Sequence, residues 1–289
     1  MKKIGLVSNN KNERAILVAK DVYDYLIKHK CQVYLLDQDI LAQKYNLVSC
    51  SKDDFSKNVE IIISVGGDGT FLRAARYAFK REIPVMGVNA GNLGFLAEIE
   101  TNQLYTAMEN LLEDEYSIEE RMLIEGRIWR QGQIVGEQNI PYLALNEFTL
   151  TRSILEKIIK MEVIVNDCSL MDFGADGIII STPTGSTAYS LSAGGPVVEP
   201  NNNLFIVTPI CPHSLYNRSM VLSPESEIQI KINTKNINNT LSIDGVKSSV
   251  NLNNEDVFRV NSSKLKLKLI TFNDNIFFKI FKQKLLSRS

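Results

Sequence analysis

One carboxylate of this sequence lies among glycines, in the stretch Gly66-Gly67-Asp68-Gly69-Thr70. A β-branched apolar run precedes it and a helix-like segment follows it, which predicts a strand, a turn and a helix N-terminus. Free backbone N–H groups and the helix dipole favour phosphate at such a place, and a carboxylate would repel that phosphate. Asp68 is therefore either a helix cap or a group with a chemical task, such as holding a divalent cation or accepting a proton.

A second glycine loop follows the next strand candidate. Gly91 and Gly94 alternate there with Asn89 and Asn92. The segment is an ordinary turn, or else the two glycine loops at neighbouring strand ends form opposite sides of one crevice of polyphosphate size. Arg73, one helical turn after the first loop, either reaches a phosphate or is solvated.

Two polar residues interrupt an otherwise apolar strand candidate. Asn146 and Glu147 lie within the run Tyr142–Leu150. A buried polar pair in a strand needs hydrogen-bond partners, which a ligand with hydroxyl or amide groups would supply. Exposure at a sheet edge is the alternative.

The most unusual stretch runs from Gly174 to Pro200 and combines glycines with many hydroxyl groups around one aromatic residue, Tyr189. Its hydroxylic residues are Ser181, Thr182, Thr184, Ser186, Thr187, Ser190 and Ser192. Such a segment lets backbone approach a ligand closely and offers it hydrogen-bond groups. A low-complexity loop is the alternative, against which Pro183 and Pro196 favour a fixed shape.

The composition excludes several classes of protein. The 32 basic residues against 33 acidic ones give a net charge of -1, which provides no general attraction for nucleic acid or a membrane surface. We find no secretory signal and no apolar run that could span a bilayer, so we expect a cytoplasmic protein with reduced cysteines. His29 and His213 have no partner at ligand spacing, and we expect structural roles for both.

The apolar patterns predict two domains and a tail. Residues 1–120 alternate short strands with amphipathic helices, typical of an α/β domain with a Rossmann-like parallel sheet. Residues 121–270 are cut into strand-length pieces by Gly, Asn, Asp and Pro, which predicts a β-rich, sandwich-like domain. Residues 271–289 regain helical spacing and are expected to return to the first domain.

Taken together, the motifs resemble those of NAD kinases, in the family's order. They are the loop at Gly66–Thr70, GNLGFL at Gly91–Leu96, NE at Asn146 and Glu147, DG at Asp176 and Gly177, STPTGSTAYSLSAGGP at Ser181–Pro196, and TPICPHSL at Thr208–Leu215. The first loop is shared with diacylglycerol and sphingosine kinases, so a lipid kinase is one alternative. A non-catalytic dinucleotide sensor is another.

The resemblance implies transfer of the terminal phosphate of ATP to the 2′-hydroxyl of the adenosine ribose of NAD, which makes NADP. It implies that Asp68 takes the proton from the attacking hydroxyl. Gly66, Gly67, Gly69 and Thr70 would handle the triphosphate together with a divalent cation, Mg²⁺ or Mn²⁺, whose protein ligands are unknown.

The resemblance also implies a set of dinucleotide contacts. Asn146 and Glu147 would hold the ribose or adenine side, and Asp176 the nicotinamide riboside. The whole expected set is Asp68, Gly69, Arg73, Asn146, Glu147, Lys157, Asp176, Thr187, Ala188, Tyr189, Ser190 and Ser192. Family members are usually dimers or tetramers, so we expect this protein to be a homo-oligomer, either a dimer or a homotetramer.

Two positions depart from the family's pattern. Gly174 occupies a place where many bacterial members carry Arg, and Val246 follows Asp244-Gly245 where a glutamine is common. Loss of a charge-assisted contact to phosphate would cost about 1.5 to 3 kcal/mol of binding unless Lys157 or Arg152 replaces it.

Overall fold

The computed structural model describes residues 1–91, 93–135, 140–152, 158–214, 217–234, 239–272 and 276–286. The chain divides into two compact units, which we call unit 1 and unit 2. Unit 1 comprises Met1–Glu120 and Leu265–Ser289, and unit 2 comprises Arg121–Lys264. Within the described part of the chain, every helix is too short or too polar to cross a bilayer.

The first part of the chain alternates strands and helices. Its elements are β1 (Lys3–Ser8), α1 (Glu13–Lys28), β2 (Gln32–Leu35), α2 (Ile40–Tyr45), α3 (Lys52–Asn58), β3 (Ile61–Gly66), α4 (Asp68–Ala78), β4 (Val85–Asn89), β5 (Ile99–Glu100) and α5 (Leu104–Leu112).

The remaining part is dominated by strands. Its elements are β6 (Ser117–Arg130), β7 (Gln133–Val135), β8 (Tyr142–Ala144), β9 (Glu147–Arg152), β10 (Ile159–Val165), β11 (Cys168–Ala175), β12 (Gly177–Ser181), α6 (Tyr189–Ser192), β13 (Phe205–Ile210), β14 (Met220–Leu222), β15 (Ile228–Ile232), β16 (Asn239–Ile243), β17 (Val246–Leu252), β18 (Val257–Thr271) and α7 (Ile276–Leu286).

Unit 1 is built on a parallel sheet with the strand order β2-β1-β3-β4. The last part of β18 joins it in parallel to β4, where Leu269 is opposite Val85. The strand order reverses at β1, so the carboxyl ends of β1 and β3 form a topological switch point, where open α/β sheets bind ligands. The predicted α/β class is confirmed.

Helix α1 shows why the sequence folds in this way. Asn12 caps its N-terminus by accepting the backbone N–H of Ala15. One apolar stripe of α1 recurs at helical spacing and is buried with the strand residues that form the core of unit 1; its members are Ala15, Ile16, Ala19, Val22 and Leu26. Strand β3 has six buried residues in a row, as expected of a central parallel strand covered on both faces.

Unit 2 contains two sheets with a shared apolar core. In the first sheet the antiparallel order is β11-β10-β15-β18, and β6 pairs with β18, β7 and β8. The second sheet has the antiparallel order β14-β13-β12-β9-β16-β17. Phe148 of β9 and Phe258 of β18 meet edge to face at 5.1 Å between ring centroids. The predicted β-rich, sandwich-like architecture is confirmed.

Candidate active site

In unit 1 the two glycine loops follow neighbouring strands, as the sequence predicts. Gly66 at the end of β3 pairs with Asn89 at the end of β4. The backbone N–H of Ala90 donates to Gly66 O at 3.1 Å, and that of Asn9, after β1, donates to Val65 O at 2.9 Å. Three strand ends and the N-terminus of α4 therefore converge at the switch point.

Asp68, the first residue of α4, joins the two loops. Its Oδ2 accepts the backbone N–H of Phe95 at 2.9 Å, and its Oδ1 accepts those of Leu96 at 3.0 Å and Ala97 at 3.3 Å. The carboxylate is half-buried, and it lies in the first turn of a helix, where negative charge is favoured. Asp68 thus forms hydrogen bonds with residues that lie 27 to 29 positions later in the sequence. The N-cap residue of α4 is Gly67, and Asp68 is the first residue of the helix itself. The Asp68 side chain therefore does not cap this helix.

Thr70 and Arg73 are also held by local contacts. A Cβ at Gly66 would come within 2.4 Å of Thr70 Oγ1, so the loop needs glycine beside this threonine. The guanidinium of Arg73 donates through Nη2 to Ser8 O at the end of β1. Its Nε is buried and has no hydrogen-bond partner among the described residues. Arg73 therefore belongs to the switch point and is not a solvated side chain.

In unit 2 the polar pair Asn146 and Glu147 is buried, with 8% and 4% of each residue exposed. Strand β9 lies between β12 and β16, so the alternative of edge exposure is wrong. The Asp244 carboxylate accepts the backbone N–H groups of Leu145, Asn146 and Glu147 at 3.2, 2.7 and 3.3 Å. These bonds satisfy three buried donors.

Glu147 is the site's unusual acid. Burial first, and then the charge of Asp244, raise the pKa of Glu147 from its ordinary 4.5 to about 8, against a smaller lowering by the backbone N–H of Tyr189. Its Oε2 is buried and has no hydrogen-bond partner within the described part of the chain. A carboxyl group in this state is largely protonated at neutral pH, and it can both donate and accept a hydrogen bond.

The hydroxyl-rich segment uses many of its hydroxyl groups for its own structure. Ser181 Oγ donates to Asn146 O at 3.1 Å, and Thr182 Oγ1 accepts the backbone N–H of Gly185 at 3.1 Å. Ser190 is fully buried, and its Oγ is 3.3 Å from Thr208 Oγ1. The segment therefore has a fixed shape, as its prolines predict.

The exposed residues of that segment lie between Tyr189 and Glu199. Tyr189 is 44% exposed and Ser192 is exposed, while Thr187 and Ala188 are half-buried. The Oγ1 of Thr187 donates to Thr184 O at 3.4 Å. Tyr189 is thus the aromatic surface that a flat ring of a ligand can meet.

Asp176, between β11 and β12, forms an ion pair with Arg152: its Oδ1 lies 2.6 Å from Arg152 Nε. The backbone ties the same residues, since Arg152 N–H donates to Asp176 O at 3.0 Å. Gly174 O accepts the N–H of His213 at 2.8 Å. Lys157 lies outside the described residues.

Two parts of the site were missed by sequence reasoning. The end of β1, Ser8 to Asn10, reaches the switch point beside Arg73, but its polar residues look like any strand-end turn. The second part is Asp244, for which the motifs predict no role. Near this position only Val246, which follows the pair Asp244-Gly245, departs from the family's pattern. The signal was available, because Asp-Gly between alternating apolar residues predicts a tight hairpin whose Asp side chain can turn inward.

Two protein-family models match this sequence. The ATP-NAD kinase N-terminal domain matches residues 4–116, and the ATP-NAD kinase C-terminal domain matches residues 145–272. An NAD kinase of Moorella thermoacetica is 37% identical over 289 residues, which span 99% of this chain and 89% of the relative. An NAD kinase of Thermoanaerobacter sp. is 35% identical over the full length of both chains.

Two solved structures share the fold. A yeast NADH kinase complexed with NADH superposes with a TM-score of 0.90 at 22% identity, covering 99% of this chain and 87% of that one. An NAD kinase from Archaeoglobus fulgidus in complex with ATP superposes with a TM-score of 0.77 at 24% identity, covering 98% of each chain. With both domain matches and full-length relatives above 30% identity, the chain belongs to the ATP-NAD kinase family.

Proposed function

We propose that this protein is an NAD kinase, which transfers the γ-phosphate of ATP to the 2′-hydroxyl of the adenosine ribose of NAD and releases NADP and ADP. The observation that carries the proposal is the match to relatives named NAD kinase over the whole chain. The arrangement in unit 1 supports it, because glycine amides at a switch point beside a helix N-terminus suit a polyphosphate.

The triphosphate is assigned to the loop Gly66–Thr70 and the N-terminus of α4. Phosphoryl transfer depends mainly on positioning and on neutralisation of negative charge. The amides of the loop and the helix dipole supply part of that neutralisation, and Arg73 is the cation nearest to them along α4.

A divalent cation accompanies the nucleotide in this proposal. The described residues contain no group of three His, Cys, Asp or Glu side chains that could hold a metal ion. They therefore fit an ion carried mainly by the phosphates of ATP, as Mg²⁺ commonly is, with at most one carboxylate from the protein.

Asp68 is our candidate for the general base. The 2′-oxygen forms a bond to the γ-phosphorus, the bond from that phosphorus to the β,γ-bridging oxygen breaks, and the hydroxyl proton passes to the Asp68 carboxylate. A carboxylate offers about four acceptor positions, and the amides of Phe95, Leu96 and Ala97 occupy three. The remaining position is available for the hydroxyl group.

Within unit 2, NAD is assigned to the polar groups at Asn146 and Glu147 and to the segment around Tyr189. Glu147 has a buried carboxyl oxygen without a protein partner among the described residues, and a ribose hydroxyl would supply one. Tyr189 offers an exposed ring for stacking. We assign Asp176 to the nicotinamide riboside, with Lys157, Thr187, Ala188, Ser190 and Ser192 completing the set.

Ser190 contributes through its backbone or through the shape of the segment, because its side chain is fully buried.

We further propose that the protein is a cytoplasmic homo-oligomer. Light scattering coupled to size-exclusion chromatography measures the subunit number directly.

The decisive experiment incubates the purified protein with NAD, ATP and Mg²⁺ or Mn²⁺ and measures NADP by a coupled dehydrogenase assay. We expect ATP-dependent NADP formation. Binding of NAD without turnover under any metal or phosphate donor would indicate a sensor, and phosphorylation of diacylglycerol or sphingosine would indicate a lipid kinase.

The role of Asp68 is tested by Asp68→Asn. We expect NAD binding to persist and kcat to fall by about 10²- to 10⁴-fold, the usual contribution of a general base. The matched control is Asp53→Asn, which changes an exposed aspartate in the first turn of α3 in the same unit. Equal turnover of the two variants would remove Asp68 as the base.

A further inference from the structure

The hairpin turn between β16 and β17 carries a carboxylate that the proposed reaction does not use. Asp244 and Gly245 connect Ile243 to its partner Val246, and both turn residues have positive φ, 46° and 72°. Those values are typical of a two-residue type I′ turn, for which Asp-Gly is a preferred pair. Asp244 is nevertheless only 6% exposed, so its side chain points into the protein instead of into solvent.

Asp244 is both a hydrogen-bond acceptor and a hydrogen-bond donor toward residues 145–147, the segment that contains Asn146 and Glu147. Its two carboxylate oxygens accept the N–H groups of Leu145, Asn146 and Glu147, and its own N–H donates to Glu147 O at 3.0 Å. Regular pairing between β9 and β16 ends where Phe148 is opposite Ile243. The carboxylate therefore replaces a strand partner just where the ladder stops.

We propose that Asp244 is a positioning residue for NAD, which fixes the backbone of residues 145–147 so that Asn146 and Glu147 present their side chains to the dinucleotide. The inference rests on the proposed function and deepens it. Asp244 need not touch the ligand, because its contacts are to the backbone that carries the two ligand-binding side chains.

The charge of Asp244 has a second consequence for Glu147. The groups that bear on the Glu147 carboxyl are the Asp244 carboxylate, from the β16–β17 turn, and the N–H of Tyr189, from the start of α6. A second carboxylate nearby and a buried, unpartnered Oε2 both disfavour ionisation. Glu147 thus offers the ribose a donor as well as an acceptor, and the negative charge of Asp244 helps to keep the proton on it.

The test is Asp244→Asn, since asparagine also tolerates positive φ and keeps the turn. The amide nitrogen cannot accept a backbone N–H, so at least one of the three bonds is lost. We expect the Kd and KM for NAD to rise by about tenfold, the equivalent of one hydrogen bond of ordinary strength, with KM for ATP within about twofold of the wild type.

The matched control is Asp167→Asn. Asn166 and Asp167 form another two-residue turn with positive φ, 49° and 61°, and Asp167 is exposed. We expect this variant to bind NAD and ATP as the wild type does. An unchanged NAD affinity in Asp244→Asn, or an equal loss of NAD affinity, ATP affinity and kcat, would overturn the proposal.

A spectroscopic readout separates positioning from general damage. In protein labelled with ¹³C at glutamate carboxyl groups, the Glu147 resonance is identified by its absence in Glu147→Gln. We expect it to titrate near pH 8 in the wild type and at lower pH in Asp244→Asn. If Asp244→Asn does not fold, Asp244→Glu keeps the charge. The Glu147 titration should then remain near pH 8 while NAD affinity falls, and a large downward shift would contradict our account.

Failure of the inference and failure of the proposed function give different results. Calorimetry with NAD alone measures the effect of Asp244→Asn whether or not the wild type turns over. A wild type that binds NAD without making NADP removes the kinase activity and leaves the positioning test intact. A wild type that does not bind NAD removes both.

Discussion

Gly94 lies against the carboxylate of Asp68 so closely that a Cβ on Gly94 would come within 1.9 Å of Oδ1 and 2.5 Å of Cγ. The close approach exists because the same carboxylate accepts the backbone N–H groups of the three residues that follow Gly94. The absence of a side chain at position 94 is therefore a condition for the contact between the two glycine loops of unit 1.

Gly94→Ala should break that contact without removing the carboxylate. Either Asp68 turns away and leaves buried amides without an acceptor, or the loop moves, so we expect a loss of about 1 to 3 kcal/mol in the free energy of unfolding. We expect kcat/KM for ATP to fall at least tenfold. Thermal unfolding and steady-state kinetics measure the two effects.

Gly91→Ala is the stability control for that variant. Gly91 belongs to the same loop, and a Cβ there would meet no atom within 4 Å. Its melting temperature should stay close to that of the wild type. Similar stability losses in both variants would contradict the contact between Gly94 and Asp68 as the cause.

Glu147→Gln should change how stability depends on pH. The pKa of Glu147 is raised from 4.5 to about 8 in the folded protein. The folded protein therefore keeps a proton that the unfolded chain releases between these values, so this group's stabilising contribution is present below pH 4.5 and is lost as pH rises to about 8. Glutamine is neutral throughout and avoids this loss.

The expected result is a stability difference that grows with pH. Urea unfolding of the wild type and Glu147→Gln from pH 5 to 8.5 should show the variant gaining relative to the wild type, by at most about 5 kcal/mol over the full window. Glu255→Gln, at an exposed glutamate of unit 2, is the control and should track the wild type. A difference that is constant across pH would argue against a neutral, buried Glu147.

Much of the fold could be predicted from the sequence because its elements have strong periodicity. The apolar runs of β1, β3 and β4 and the stripe of α1 are each long enough to be recognised. The short helices α2 and α3 were missed, since six and seven residues provide fewer than two full turns of pattern. Their positions depend on packing and on caps from Asp39 and Ser51.

The site was only partly predictable because its key contacts join distant residues. Asp68 and the pair Asn146 and Glu147 stand out by their surroundings in the sequence. Their partners do not: Asp244 lies 97 residues beyond Glu147, and only the folded chain brings the two together. In the same way, the composition shows that the segment after Gly174 is rich in hydroxyl groups. It does not show that the hydroxyl group of Ser190 is hydrogen-bonded to that of Thr208.

Helix α7 provides the last prediction, because it packs on the loop that Asp68 holds. The ring centroids of Phe277 and Phe95 are 5.9 Å apart, and Lys284 Nζ lies 4.3 Å from the Phe95 ring centroid. The backbone N–H of Phe95 in turn donates to Asp68. Helix α7 thus contacts the residue whose backbone N–H is bonded to Asp68, within unit 1.

Phe277→Ala should therefore affect both stability and nucleotide binding. Removing a half-buried aromatic ring should cost about 1 to 2 kcal/mol, and the loosened loop should raise KM for ATP more than KM for NAD. Phe278→Ala is the matched control, since the neighbouring ring is 51% exposed. Equal melting temperatures and equal KM values for ATP in the two variants would show that α7 does not support the loop, because of these two rings Phe277 is the one that contacts Phe95.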